Sequence, residues 1–304
     1  MEELTKDTTA GTIAAVPDVN VNNPLSVPYR TGSYLIYDAD PKKKNFRSAW
    51  DLDPHPYPAS GSHQLDIKEL VGYLKQIAAK YGTQNLFLVD LREETHGYLG
   101  DTAVSWYADN DFSNVGMSSG LIQRDEEARL AALVGETVQM FTITKDENDN
   151  REQQRELPVR YDPLEVSKAQ TERQAFDGLR IGNCTVSYVR IPVTDHCGPT
   201  EEALAEFAKI PVSTDPADTW VHFHCHGGDG RTTSFLALYD IRCWKASGDP
   251  LAAGGMKAFA ARQCELFTYC LDPAGCKDPK CVGDRDAWKV SLAVVRWRIL
   301  SGQL

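Results

Sequence analysis

The sequence lacks any long apolar run. No stretch of its 304 residues approaches the roughly 18 apolar residues that a membrane-spanning helix requires, which argues against a membrane span. The first residues, MEELTKDTTAGTIAAVPDV, carry acidic side chains and no apolar core of the kind found in secretory signals, so no signal peptide is visible. No internal repeats or low-complexity blocks are visible either.

Positive charge is also scarce. The chain has 32 Lys and Arg against 43 Asp and Glu, a net charge of −11, which argues against a broad nucleic-acid-binding surface or a basic membrane patch. An anionic substrate would therefore need a local cationic pocket. Otherwise the composition is that of a soluble globular protein, with 42% hydrophobic and 25% charged residues. The length suits one large domain or a domain with a substantial insertion.

Four of the eight cysteines crowd near the end of the chain. They are Cys264, Cys270, Cys276 and Cys281. Three interpretations are open for these cysteines: free thiols, disulfides and a zinc site. Disulfides are favoured if the protein is exported. The spacing lacks the paired short knuckles of zinc sites, so zinc is the least favoured. The pairing of these cysteines stays open.

The chain reads as an arm followed by an α/β domain. Residues 1–30 are rich in Thr, Val, Asn and Pro without a period, which predicts an extended arm, and residues 31–304 are predicted to form the folded domain that follows it. Apolar residues recur at helical spacing over 65–78, with Gly82 suited to end the helix. The apolar run at 85–91 predicts a buried strand. Residues 53–62, rich in Pro, His, Gly and Ser, predict a loop.

A β-rich insertion is expected over roughly 136–186, folded as a partial barrel. Residues 137–144 alternate like a strand, and 157–161 are the predicted hairpin partner. Regular α/β structure then resumes with strands at 186–193 and 220–224 and a helix capped by Thr200. Further helices are predicted over 126–134, 231–246, 251–270 and 286–301. The expected fold is therefore a mixed central sheet flanked by helices.

The strongest signal is HFHCHGGDGRTT, residues 222–233, between a predicted strand and a predicted helix. Its glycines let the backbone turn N–H groups inward, and the helix that follows points its N-terminus at the same spot. Cys225 at the start of such a loop is favoured as a thiolate nucleophile, and the Arg231 guanidinium can hold two phosphate oxygens at once. The remaining loop residues, expected to line the phosphate, are His226, Gly227, Gly228, Asp229 and Gly230.

An incidental buried cysteine in a Gly-rich turn is the bland alternative. A bare C-x5-R arises often by chance, but His224 before the cysteine, Thr232 after the arginine and the strand–loop–helix setting argue against it. The chemistry also needs an acid that protonates the leaving oxygen. Asp195, which follows the strand at 186–193, is the candidate, although an aspartate leading into a helix is common in turns.

The H-C-x5-R-T loop resembles the signature of the protein tyrosine phosphatase superfamily. This resemblance implies that Cys225 attacks phosphorus and forms a phosphocysteine, that Arg231 binds the phosphoryl oxygens, and that Thr232 assists departure of the thiolate. It also implies metal-independent chemistry with no cofactor.

Three further strings resemble the protein tyrosine phosphatase-like inositol polyphosphatases, or cysteine phytases. They are LVDLREETHGYLG (88–100), VSWYADNDFSNVG (104–116) and RIPVTDH (190–196). This resemblance implies that His196 contacts a substrate phosphate. The segments NFR (45–47) and DAWK (286–289) resemble further segments of the family, which implies contacts from Arg47 and Lys289. Arg296, two helical turns after Lys289, lies on the same helical face and fits a further basic contact. The loop departs from the family, which more often carries Glu-Ala where this chain has His226-Gly227. Asp229 adds a negative charge, which leaves the phosphate preference open.

The sequence thus predicts a phosphatase acting on myo-inositol hexakisphosphate or a related small-molecule inositol polyphosphate, with no nucleic-acid partner. A phosphotyrosine phosphatase and a non-catalytic inositol phosphate-binding module are the rivals. A rhodanese-like sulfur transferase is disfavoured by Thr232 and by Asp195. The strand-end pair Asp90 and Arg92 is expected to organise the site. Glu93, Glu94 and His96 resemble a carboxylate–histidine metal site in residue type, but a structural network is the favoured interpretation. The resemblance implies a bacterial protein that is either exported, to the periplasm or beyond, or delivered as an effector without a cleaved signal. Oligomeric state stays open.

Overall fold

The computed structural model describes residues 34–38, 45–52, 56–107, 114–145, 156–247, 295, 298–299 and 301–304. The predicted arm, the four C-terminal cysteines, the helix over 251–270, Lys289 and Arg296 lie outside the described residues. In the predicted last helix, Val295, Arg298, Ile299 and Ser301 are described, and all four are helical. Within these ranges, no helix combines the length and the hydropathy that a bilayer crossing requires.

The strands and helices of the described residues alternate along the chain. The strands are β1 (Tyr34–Tyr37), β2 (Arg47–Ser48), β3 (Ala59–Ser62), β4 (Asn85–Arg92), β5 (His96–Leu99), β6 (Thr102–Tyr107), β7 (Thr137–Val138), β8 (Phe141–Lys145), β9 (Glu156–Arg160), β10 (Leu164–Glu165), β11 (Ala169–Gln170), β12 (Arg180–Ile181), β13 (Cys184–Val193) and β14 (Thr219–His224). The helices are α1 (Ile67–Tyr81), α2 (Ser119–Leu133), α3 (Glu172–Phe176), α4 (Glu201–Lys209) and α5 (Gly230–Ser247).

The central sheet has six strands in the order β12-β13-β4-β14-β3-β2. The four inner strands are parallel, and the two edge strands run antiparallel to their neighbours. Strand β4 is a nearly continuous apolar run and every residue of β14 is buried, because parallel strands of this kind are covered by other elements on both faces.

Helices cover both faces of the central sheet. On one face, α4 and α5 pack their apolar residues, such as Phe207 and Phe235, against Val89 and Phe223 of the sheet. On the other face, α1 buries Leu70, Leu74 and Ile77 at helical spacing against β4 and β13. Gly82 ends α1 in the left-handed conformation, with a φ of 70°, where a glycine carries no steric cost.

A second six-stranded sheet has the order β11-β5-β6-β1-β8-β9. Helix α2 packs on it through Leu130 and Leu133, which share a core with Trp106 and Met140. The sheet draws its strands from residues 34–37, 96–107 and 141–170, so distant parts of the chain build it together.

The structure confirms a mixed α/β fold with helices flanking the central sheet. The predicted β-hairpin is present, because β8 pairs antiparallel with β9. The strands within 136–186 are divided among three sheets: β8 and β11 pair with β1 and β5 of the second sheet, β7 and β10 form a separate two-stranded sheet, and β12 pairs with β13 of the central sheet. Closure of this region into a partial barrel stays a prediction. The loop predicted over 53–62 is wrong at its end, where residues 59–62 form the parallel strand β3.

The parallel strands place their carboxyl ends at one edge of the central sheet. Cys225 follows β14, Asp195 follows β13 and Glu94 follows β4, so residues far apart in sequence meet there. Helix α5 can lie close to this edge because β3 carries a glycine: a Cβ on Gly61 would come within 2.6 Å of the Thr232 methyl group.

Candidate active site

The phosphate loop, residues 225–231, joins β14 to α5. Gly228 has a φ of 72°, and a Cβ there would lie 2.4 Å from the backbone nitrogen of His63, so the turn admits no side chain at this position. Because α5 begins at Gly230, the positive end of its dipole faces the loop. The sequence thus builds the strand–loop–helix setting that an anion site requires.

Cys225 lies at the base of the loop and is almost fully buried. The hydroxyl group of Thr232 donates a hydrogen bond to its Sγ at 3.1 Å. A hydroxyl donor at this distance stabilises a sulfur anion, both when it attacks and when it departs. The structure therefore brings together the predicted nucleophile and the residue predicted to assist its departure.

The Arg231 side chain is held by two carboxylates. Its Nη1 and Nη2 donate to the two oxygens of Glu94 at 2.7 and 3.0 Å, and its Nε lies 3.1 Å from Oδ1 of Asp195. Nη1 also donates to the carbonyl of Val193 at 3.1 Å. Burial acts to lower the pKa of Arg231, but Asp195, Glu94 and Cys225 together raise it well above its usual value. The guanidinium is therefore a fixed cation beside the sulfur.

The acid loop, residues 194–199, follows β13 and carries Asp195 to the phosphate loop. The Asp195 side chain is 26% exposed, so it meets solvent on one side and Arg231 on the other. His196 lies next to it with a φ of 59° and a side chain that is 58% exposed, and its Nε2 is 3.5 Å from Asp195. His196 is thus placed at the mouth of the site, where a substrate could reach it.

Asn45 fastens the outer side of the phosphate loop. Its amide group donates to the carbonyl of Gly227 at 2.7 Å and to the carboxylate of Asp229 at 3.1 Å. On the inner side, the backbone N–H of Gln64 donates to the carbonyl of His226 at 3.0 Å. The negative charge of Asp229 is therefore held against the loop by a neutral donor.

Arg47 lies against the same loop but is buried. Its Nη2 donates to the hydroxyl of Thr233 at 2.9 Å, and its Nη1 donates to the carbonyl of Asn45 at 3.0 Å. Burial lowers the pKa of Arg47 to about 10, although Cys225 and Asp229 both act to raise it. Arg47 therefore adds positive charge near the sulfur, and its direct contact with substrate stays a prediction.

A set of buried charged side chains lies beneath the phosphate loop. This buried ionic layer consists of Asp38, Asp90, Arg92, Glu94, His96, Glu126, Glu172 and Arg190. Arg92 links Glu94 at 2.8 Å to Asp38 at 2.7 Å. Arg190 donates to Glu126 at 2.9 Å and to the carbonyl of Glu94 at 2.9 Å. Asp90 and Arg92 organise the site as predicted, and Glu94 and His96 join a network as predicted.

The sequence did not single out the partner of Arg231. Glu94 was expected only in a network, although it follows β4 at the same sheet edge as Cys225, and that position is a signal that strand-end reasoning can use. Asp38, Asn45 and Glu172 gave no such signal, because their contacts join segments far apart in the chain. Lys289 and Arg296 lie outside the described residues.

Among the described residues, one group has the spacing of metal ligands. Asp90, Glu172 and His224 offer ligand atoms that all lie within 4.8 Å of one another. Two cations already contact these carboxylates: His96 Nε2 lies 3.3 Å from Asp90 and 3.2 Å from Glu172, and Arg190 Nε lies 3.4 Å from Asp90. The group therefore fits an ionic hydrogen-bond network better than a metal site.

Comparison with known proteins points to one family. The family model of PTP-like phytases, with the description "Inositol hexakisphosphate", matches residues 89–243, about half of the chain. An effector protein, hopD2, of Pseudomonas syringae pv. tomato is 26% identical over 219 residues, which cover 68% of this chain and 45% of the effector. The chain thus spans less than half the length of that relative.

Two solved structures share the fold. The PTP-like phytase from Bdellovibrio bacteriovorus has 25% sequence identity and a TM-score of 0.63, covering 90% of this chain and 92% of that one. The PTP-like myo-inositol phosphatase from Mitsuokella multacida, solved with myo-inositol-(1,3,4,5)-tetrakisphosphate, has 22% identity and a TM-score of 0.66. That match covers 88% of this chain and 46% of the other. The chain belongs to the PTP-like phytase family.

Proposed function

We propose that this protein is a cysteine-dependent inositol polyphosphate phosphatase that hydrolyses myo-inositol hexakisphosphate. The observation that carries the proposal is the geometry around Cys225: its Sγ accepts a hydrogen bond from Thr232 at 3.1 Å, next to an arginine that Glu94 holds with two hydrogen bonds. This arrangement favours a thiolate and a fixed guanidinium on the same side of a phosphate group. Family membership supports the substrate class.

In the first step, the Cys225 thiolate attacks phosphorus while the bond from phosphorus to the inositol oxygen breaks. Asp195 gives its proton to the departing oxygen, so inositol leaves as an alcohol and the phosphoryl group becomes phosphocysteine. Arg231 and the N-terminus of α5 stabilise the negative charge on the equatorial oxygens.

In the second step, water attacks the phosphocysteine. Asp195, now a carboxylate, accepts the proton of the water, the phosphorus–sulfur bond breaks, and inorganic phosphate forms. The hydroxyl of Thr232 stabilises the departing thiolate through the hydrogen bond that it already makes in the free protein. The enzyme returns to its starting state without a redox change.

Substrate binding is expected to exchange the partners of Arg231. In the free protein the Asp195 carboxylate lies 3.1 Å from Nε, which is the face of the guanidinium that Glu94 leaves open. A phosphate dianion that takes this face displaces the Asp195 carboxylate by charge repulsion. Away from Arg231, the carboxylate takes up a proton from solvent before the first step and swings toward the leaving oxygen as a carboxylic acid, so binding of the phosphate and placement of the acid are coupled.

The phosphates that are not cleaved need basic contacts around the mouth of the site. His196 is exposed beside Asp195, and His226 is partly exposed on the loop, 3.4 Å from Asp38. Lys289 and Arg296 are proposed as further contacts from the family resemblance. The exported location likewise stays a prediction from that resemblance.

The test is a comparison of two substrates with the purified protein. Phosphate release from myo-inositol hexakisphosphate and from a phosphotyrosyl peptide is measured in the presence of a chelator, and the inositol products are separated and identified. We expect ordered loss of phosphates from the inositol substrate and little release from the peptide. Preference for the peptide would favour a phosphoprotein phosphatase, and tight binding of the inositol phosphate without any release would favour a binding module.

A further inference from the structure

A carboxylate from outside both catalytic loops contacts the residue that precedes the nucleophile. Glu172 is the first residue of α3 and has no solvent exposure. Its backbone is fixed by a capping box. The Thr171 hydroxyl accepts a hydrogen bond from the backbone N–H of Gln174 at 3.1 Å, and the side-chain oxygen of Gln174 accepts one from the backbone N–H of Thr171 at 2.9 Å. The rigid start of α3 therefore aims this carboxylate at a defined point.

The point at which Glu172 aims is the residue before the nucleophile. Its Oε1 lies 3.1 Å from Nε2 of His224, which ends β14 and precedes Cys225. Its Oε2 lies 3.2 Å from Nε2 of His96 and accepts a hydrogen bond from the Gln64 amide at 3.3 Å. One imidazole ring therefore separates the carboxylate from the backbone of Cys225.

The surroundings of Glu172 keep it ionised. Burial raises its pKa, but His224 and His96 outweigh burial and lower the pKa to about 2. Burial also acts to lower the pKa of His96, yet Asp90 and Glu126 raise it to about 10, so His96 is a cation near neutral pH. The other titratable groups that face Glu172 are Asp90 of β4, Tyr98 of β5, Tyr188 of β13 and His222 of β14.

We propose that Glu172 is a positioning residue for Cys225: its carboxylate anchors the His224 imidazole and so fixes the start of the phosphate loop with Sγ facing the phosphate. His224 is almost fully buried, so bulk water cannot replace the carboxylate that lies 3.1 Å from its Nε2. The ring would then shift to find another partner. Because His224 directly precedes Cys225 in the chain, this shift would also move Cys225. The proposal extends the proposed function, because it concerns the same nucleophile.

The test compares Glu172→Gln and Glu172→Ala with a matched control, Asp125→Asn. Asp125 is also a buried carboxylate, but it binds Arg129 of its own helix at 2.8 Å. Two quantities are measured: kcat and KM for myo-inositol hexakisphosphate, and the pH dependence of the alkylation rate of Cys225 by iodoacetamide, located by mass spectrometry. Circular dichroism shows which variants are folded.

We expect Glu172→Ala to lower kcat by about 10- to 100-fold with KM changed by less than about threefold, since misplacement of a reacting atom reduces the rate of the chemical step. Glu172→Gln keeps an oxygen acceptor for His224 and is expected to recover about tenfold of that loss. Both variants should shift the pH profile of alkylation relative to wild type, whereas Asp125→Asn should leave it unchanged.

Three results would overturn the proposal. One is a folded Glu172→Ala variant with a wild-type kcat and alkylation profile. Another is a glutamine variant as impaired as the alanine variant, and the third is an alkylation profile that responds to a chelator or to added Zn²⁺. If Glu172→Ala does not fold, the alkylation profile of Glu172→Gln decides, and an unchanged profile refutes the proposal. If the wild-type protein releases no phosphate, the proposed function fails, while the alkylation profile still tests Glu172.

Discussion

The phosphate loop and the buried ionic layer beneath it hold their charges in different ways. Around the loop, charged side chains are partly exposed: that of Asp195, which pairs with Arg231, is 26% exposed, and that of His226 is 24% exposed. In the layer, Arg92, Glu94 and Asp38 form ion pairs whose side chains have no exposure. Charges that meet solvent can change partner, while charges sealed from solvent cannot do so cheaply.

This difference separates reactivity from positioning. A phosphate must enter, lose an ester bond and leave, so the groups that touch it need contacts that exchange. The layer below must return the loop to the same geometry after each cycle, and opposite charges in a water-free interior resist displacement. Glu94 joins the two regions, because it binds Arg92 of the layer and Arg231 of the loop.

Replacement of the nucleophile is expected to give the largest effect. Cys225→Ser keeps a side chain of similar shape but removes the thiolate, so phosphate release should fall by about 10³-fold or more while binding of inositol hexakisphosphate is retained. Phosphate assays and isothermal titration calorimetry measure the two quantities. Cys184→Ser, in the core strand β13, is the control that should keep wild-type turnover. An active Cys225→Ser variant would refute the mechanism.

The exchangeable acid is expected to give the next effect. Asp195→Asn cannot donate a proton to a poor leaving group, so kcat for inositol hexakisphosphate should fall by about 10²- to 10³-fold, and much less for an activated aryl phosphate. Steady-state assays with both substrates check this, with Glu202→Gln on the exposed start of α4 as the control. An equal loss for both substrates would show that Asp195 acts through Arg231 and not as the acid.

The buried ionic layer is expected to make the free energy of unfolding depend on pH at both low and high pH. The pKa of Glu172 is lowered from 4.5 to about 2, so its contribution is present above pH ~4.5 and lost as pH falls toward 2; it is on the order of 3 kcal/mol. The pKa of His96 is raised from 6.5 to about 10, so its contribution is present below pH 6.5 and lost as pH rises toward 10.

Urea unfolding across this pH range measures the prediction. The free energy of unfolding should be highest between about pH 5 and pH 6.5 and decrease on both sides. Glu172→Gln should flatten the acid side, while Asp101→Asn, a surface variant, should follow the wild-type curve. A glutamine variant with an unchanged acid side would mean that the layer does not hold Glu172 as an ion.

The smallest effect is expected at Asp229. Its carboxylate lies on the phosphate loop and repels a phosphorylated substrate, whereas Asp229→Asn keeps an acceptor for Asn45 and removes the charge. KM for inositol hexakisphosphate should decrease by about two- to fivefold with little change in kcat, and added salt should shrink the difference. Asp215→Asn on an exposed turn is the control. A higher KM would indicate that Asp229 holds the loop through its charge.

The spacing of apolar residues alone predicted some helices and strands, whereas others have a composition that does not show their secondary structure. Helix α1 and strand β4 were predicted closely, because each shows a clear period or an unbroken apolar run. Helix α2 was predicted only over 126–134, yet it begins at Ser119. It buries charged residues, including Asp125, Glu126 and Arg129, so the apolar period that would reveal it is broken.

The sequence of strand β3, ASGS, predicts a loop because it has the small and polar residues that are typical of a turn. In the structure it is an inner parallel strand that lies between β14 and β2. Small residues suit this place, since Gly61 lets the side chains of Thr232 and Leu236 on α5 approach β3. The packing of α5 accounts for the glycine, and the serines hydrogen-bond with His222 and Trp220 of β14, so tertiary contacts explain a strand of this composition.

The sequence by itself determined the phosphate loop, because the chemistry of Cys225, Arg231 and Thr232 depends on spacing within one short segment. It also indicated Asp195, since the position of a residue after a strand is a local property. Tertiary structure alone decided what holds these groups: Glu94 on Arg231, Asn45 on the loop and Glu172 on His224. Those contacts join segments that are distant in the chain, and ion pairs of this kind leave no period in the sequence.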